Sequence, residues 1–190
     1  MALSSSRLAR NMDEKMKSNI KSSFPDANPG DNMSQMTKGI AEGVVNTLRG
    51  KSALVIPAGV ISAGSSTGII GLSAAALEKQ IITQCKIAFG AEGVALKDIA
   101  SAIASSVVDE LQQASLNSPS AGPVSNITGW GPSQMGSAIA KSVGFPKTEH
   151  NTKMFMAIGT AITMEIQLKG MGAIFPSGSL GGGSPMVTLS

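Results

Sequence analysis

One pattern constrains this chain more than any other: three stretches carry apolar residues on the same helical register. In "KGIAEGVVNTL" (38–48), Ile40, Val44 and Leu48 recur at every fourth position. In "SAIASSVVDEL" (101–111) the same places hold Ile103, Val107 and Leu111, and in "MAIGTAITMEI" (156–166) they hold Ile158, Ile162 and Ile166. Four and seven residues upstream of the first Ile lie Met36 and Met33, Ile99 and Leu96, and Met154 and Asn151, so that only Asn151 breaks the stripe. Spacings of three and four place side chains on one face of an α-helix, and an apolar face of this kind must be buried against something. Each copy also follows its first Ile with a small residue, namely Ala41, Ala104 and Gly159.

A second stripe precedes each copy. These are Leu8, Met12, Met16, Ile20 and Phe24; then Leu77, Ile81, Cys85 and Phe89; then Met135, Ile139 and Val143, with Phe145 close behind. Breaker-rich loops ("PDANPGDN", "GAEG", "PKTEHN") divide the two helices of each pair, and "TEHN" offers N-cap candidates for the last helix. After each pair comes a Gly/Pro/Ser-punctuated arm: "SALVIPAGVISAGSSTGIIG", "NSPSAGPVSNITGWGP" and "GMGAIFPSGSLGGGSPMVTLS". Short apolar runs in these arms read as strands, and Pro57 confines its run to an edge or a bend. The sequence therefore predicts one domain over 1–190, mainly α with short β arms (α+β). It also suggests a threefold internal repeat of helix-loop-helix plus arm, with units 4–72, 73–131 and 132–190.

The composition supports an ordered core built without aromatic bulk. Hydrophobic residues make up 42% and charged residues 14%, which is too apolar for a disordered chain. Five Phe, one Trp and no Tyr stand against eleven Met and 22 Gly, so Ile, Val, Leu, Met and Ala must fill the interior. The net charge of +3 is local. The first 24 residues hold five basic and two acidic groups, whereas the other 166 hold ten of each. That pattern differs from a nucleic-acid binder, which spreads basic groups over a face and adds stacking aromatics.

The sequence offers little for catalysis. Cys85 is the one cysteine, which rules out an internal disulfide, and it falls on an apolar helical stripe, where a buried inert thiol is expected. His150, the one histidine, lies in a polar loop before a helix. The adjacent acids at 13–14 and 109–110 diverge by about 100° on a helix and do not form a working pair. The Gly-rich segments lack the Lys-Ser/Thr ending of a phosphate loop. The expectation is a protein that is not an enzyme, with no cofactor, no metal site, no signal peptide and no transmembrane segment.

Three features point instead to interaction. A basic amphipathic helix over 4–22 carries Arg7, Arg10, Lys15, Lys17 and Lys21. Trp130 sits in "GWG" as a core plug or an interface anchor. Short strands with free edges invite pairing with neighbouring chains. The Gly/Ala/Ser/Met-rich helices of "IAxxVV" texture and the arms "LVIPAGVISAGSSTG" and "MGAIFPSGSLGGG" resemble the small structural proteins of tailed bacteriophages, above all tail and baseplate proteins of contractile-tailed phages. The resemblance covers most of the chain in style and rests on no diagnostic motif. It implies a non-enzymatic virion component, made in the host cytoplasm, present as a homo-oligomer or within a symmetric hetero-assembly, with other virion structural proteins as partners. The alternative is a binding module that uses the basic helix on nucleic acid or an anionic membrane surface.

Overall fold

A computed structural model describes residues 3–23, 25–26, 31–50, 54–55, 64–67, 72–89, 94–113, 115–118, 126–128, 131–169, 172–175 and 186–189. Six helices form its body: α1 (Ser5–Ser23), α2 (Asp31–Gly50), α3 (Ala74–Phe89), α4 (Val94–Gln113), α5 (Pro132–Ser142) and α6 (Glu149–Lys169). Each packs on the helix before and after it in sequence, and α6 returns to α1, which closes the circuit. Neighbours run antiparallel where their contacts fix direction. Gly39 and Gly43 of α2 face Cys85 and Ile81 of α3, and Arg7 and Asn19 of α1 meet Glu165 and Lys153 of α6.

The expectation of an α+β fold is corrected here. The body is 89% helix, in six helices and without a strand, and its fold is a helical bundle. Among the described residues, the segments between and after the helices hold backbone ladders of two to four residues: β1 (Leu54–Val55), β2 (Gly64–Thr67), β3 (Ser115–Ser118), β4 (Asn126–Thr128), β5 (Gly172–Phe175) and β6 (Met186–Leu189). They run antiparallel in the orders β1-β6-β5 and β2-β3-β4, each pairing with another stretch of the same chain. Ladders this short cannot hold a sheet layer of their own. The described core comes from the helices, joined only by Leu3 and Val143 at helix ends.

The three repeated stripes are buried along their C-terminal turns and only partly at their starts, where Met33, Met36, Leu96 and Met154 lie at the edge of the core. Ile40, Val44, Leu48, Ile103, Val107, Leu111, Ile158, Ile162 and Ile166 lie in the core, as do Leu8, Met12, Met16 and Ile20, Leu77, Ile81 and Cys85, and Met135, Ile139 and Val143. Burial also sorts the helices into two kinds. Among the described side chains, α2, α4 and α6 bury eight, nine and nine residues, whereas α1, α3 and α5 bury four, three and three. The second helix of each pair is thus wrapped on a broad face, and the first covers it with a narrow one.

Local chemistry sets the helix starts. Ser4 caps α1, its Oγ accepting the Arg7 amide at 3.3 Å, and Ser73 does the same for Ala76 at the head of α3. Thr148 caps α6 by accepting the Asn151 amide at 3.1 Å. Pro132 opens α5, where the Gly131 amide donates to Gln134 Oε1 at 2.8 Å. The helix ends at Ser142 with Val143 as its C-cap, and the φ of +69° at Gly144 turns the chain away in a left-handed conformation that suits glycine.

Candidate functional site

The basic helix α1 was the first candidate, and the structure divides its cations. Arg7 turns inward. Its Nε donates to Glu165 Oε2 at 2.9 Å and its Nη2 to Oε1, while the Ser4 amide donates to Oε1 at 2.8 Å. Glu165 is buried on α6, so Arg7 serves the fold by holding α1 onto the bundle. Lys17 pairs with Asp13 at 2.6 Å, and that carboxylate also accepts the Ser34 hydroxyl of α2 at 2.9 Å. Arg10 lies 4.0 Å from Glu14, both well exposed, a geometry of small energetic consequence. Among the described residues nothing pairs with Lys15 or with the exposed Lys21. The five cations therefore do not act alike: Arg7 is spent on the fold, Lys17 and, weakly, Arg10 face acids of their own helix, and Lys15 and Lys21 are left over. Trp130 lies outside the described residues.

A second polar clasp joins the far ends of α1 and α6. Asn19 Nδ2 donates to the Lys153 carbonyl at 3.2 Å, and Ser23 Oγ donates to Glu149 Oε1 at 2.6 Å. Lys153 Nζ reaches both the Ser23 hydroxyl and, at 3.1 Å, the Glu149 carboxylate. The Ser23 hydrogen bond and the Lys153 ammonium hold the Glu149 carboxyl below its ordinary range. A depressed carboxylate favours the folded state above its unfolded pKa, and that contribution fades as pH falls through the folded value.

The two residues with nucleophile or base chemistry are placed apart in kind. Cys85 is buried, with Sγ 4.0 Å from the Met36 carbonyl, and burial pushes its thiol up to about 11. His150 is exposed in the first turn of α6. Asp109 is exposed beside Glu110, whose carboxyl is pushed up by partial burial and by the Asp109 charge. Among the described residues no group of three or more His, Cys, Asp and Glu gathers to hold a metal ion, and no helix is long and apolar enough to cross a membrane.

Two sites were not anticipated. One is a pocket of about 210 Å³ between the end of α5, the 143–148 turn and the start of α6, with Phe145 and Phe155 among its walls and Lys141 and Lys147 at its edge. In the sequence Phe145 only follows the end of an apolar stripe, and the Asn151 break in the next stripe is the one signal that this part of α6 differs. The other is Thr163, buried on α6 with no hydrogen-bond partner for Oγ1 among the described residues. By contrast, Thr37, Thr47 and Thr83 each donate to a carbonyl of their own helix at 2.8–2.9 Å. An unpaired buried hydroxyl is costly. Thr163→Val, which keeps the shape and removes the hydroxyl, is expected to raise stability by about 1 kcal/mol, or about 2–4 °C in Tm. A lower Tm in a calorimetric scan would mean that the hydroxyl has a partner.

Comparison with protein-family models, with curated proteins and with solved structures gives no match.

Proposed function

We propose that this chain is a non-enzymatic structural protein of a phage particle, most consistent with a tail or baseplate position, that works by packing against neighbouring subunits. The observation that carries the reading is the outer side of α3. Ala75, Ala76 and Thr83 are exposed there among Lys79, Gln80 and Lys86, and Ile87 has 72% of its surface in water. A helix with small residues and one large aliphatic side chain turned outward suits burial against another protein surface. The sparse charge of the chain, 14% of residues, points the same way, because charge is what keeps free monomers apart. The closed circuit of helices would supply the rigid block that a symmetric assembly needs, with its outer helical faces and the short β arms making the contacts.

Two measurements test the proposal together. Light scattering behind size-exclusion chromatography is expected to show a multimer or concentration-dependent association, weakened by Ile87→Asp. Mass spectrometry of purified particles is expected to contain the chain. A stable monomer at all concentrations that is also absent from particles would overturn the reading.

A further inference from the structure

The pocket between α5 and α6 carries an inference that does not depend on the assembly reading. It forms where α5 ends and the chain turns back into α6, and two features fix its shape. The positive φ of Gly144 sets the turn, and Asn151 Nδ2 donates to the Pro146 carbonyl at 2.9 Å, tying the turn to the first coil of α6. Phe145 and Phe155 stand with ring centroids 6.0 Å apart and planes tilted by 57°, and Ala140 lies beside them in the lining. A pocket held this way is formed before anything enters it.

Its size and charge select an occupant. About 210 Å³ is many times the room a single water needs, yet it falls below the ~300–1,000 Å³ of pockets that enclose drug-sized ligands and cofactors. It fits one large side chain. The charged residues that line it are Lys141 and Lys147, both exposed, and no carboxylate does. The Asn151 backbone amide and Nδ2 are already engaged by Thr148 and Pro146, and the remaining polar lining, the Ser137 and Thr152 hydroxyls, is neutral, so the two lysines alone set the sign of charge an occupant should carry.

We propose that this pocket docks an acidic peptide segment of a partner protein, with one Leu- or Phe-sized side chain seated against the touching pair Phe145 and Phe155 and against Ala140, and with flanking Asp or Glu carboxylates paired with Lys141 and Lys147. The apolar anchor supplies affinity, and the two lysines set the sign of the partner and steer its approach.

The test uses the full chain and a fluorescein-labelled peptide with one Phe flanked on each side by Glu, followed by anisotropy. Saturable binding that weakens with salt is expected. Replacing the Phe by Ala, or the Glu residues by Lys, is expected to weaken it at least about tenfold. Ala140→Trp, which fills the pocket, is expected to abolish binding. Should that variant fail to fold, the exposed pair Lys141→Glu/Lys147→Glu decides, because it is expected to reverse the preference toward the Lys-flanked peptide. The proposal is overturned by absent binding, by equal binding of all three peptides, by binding that survives in folded Ala140→Trp, or by no reversal in the charge-swapped pair. It is overturned equally if the pocket proves to be filled by a second copy, seen as self-association that Ala140→Trp and Ile87→Asp both remove.

Discussion

Replacing Gly159 by alanine is expected to cost about 3 kcal/mol, even though alanine is the better helix former by about 1 kcal/mol. The two effects oppose each other, and the geometry decides between them. A Cβ on Gly159 would meet the Gly136 amide nitrogen and lie 2.5 Å from the Gly136 Cα and 2.8 Å from the Met135 carbonyl carbon. These are backbone atoms of α5 and cannot rotate aside. Gly136 is itself blocked by Met156 Cα at 2.6 Å, so neither helix can yield to the other. The α5–α6 crossing must open along its length, and every contact around it loosens. For a chain of this size the expected fall in Tm is about 6–12 °C. The α2–α3 crossing is built likewise, with Ile81 Cα 2.6 Å from a Cβ at Gly43 and Cys85 Cα 2.7 Å from one at Gly39. Gly43→Leu is expected to be at least as damaging, whereas its neighbour Glu42→Gln should stay within about 0.5 kcal/mol of wild type. Thermal melts of the three variants check this, and equal tolerance of Gly43→Leu and Glu42→Gln would refute close packing at this crossing.

The glycines also mark how far the sequence could be read. Gly43 aligns with Ser106 and Ala161 in the three stripes, and a small residue at a crossing follows from that alignment. The structure places the crossing at Gly43 but builds the corresponding tight contact of α5 and α6 from Gly136 and Gly159. Register alone could not distinguish these, because which turn of a helix touches its neighbour depends on how the two axes cross. The stripes themselves were legible, since a period of three and four over about four turns has one physical outcome, burial of that face. The arms were not. Runs such as "ALVI" look the same whether they form a sheet layer or a brief backbone ladder. The sequence also did not reveal the inner and outer helices, although Ala100, Ala102, Ala104 and Val108 beside the α4 stripe widen its apolar face and could have hinted at it. Among candidate site residues, Arg7 was misread as an outward cation because its partner lies 158 residues away. A usable signal was present on the other side. Glu165 interrupts "AITMEIQL", and a lone carboxylate on an apolar helix needs a cation brought to it.

That pair yields the second large effect. Arg7→Met removes two charged donors from a carboxylate whose side chain is 1% exposed and leaves it with only the Ser4 amide. Stranding one partner of a buried ion pair costs about 3–5 kcal/mol. Arg7 is itself 25% exposed, which lets water replace part of the interaction and lowers the expectation to about 2–3 kcal/mol. Glu165→Met is expected to cost less, because the guanidinium left behind can turn toward the water it already touches. The double variant Arg7→Met/Glu165→Met should return to within about 1 kcal/mol of wild type, since an apolar pair of similar volume carries no desolvation penalty. The double-mutant cycle from urea unfolding therefore has a defined shape, with two unequal losses and a recovery. If Arg7 were instead a free cation for an outside partner, Arg7→Met would be near neutral in stability, Glu165→Met would be the worse change, and the double variant would recover nothing. The ordering of the two single variants alone is enough to separate a residue that locks α1 onto α6 from one that faces solution.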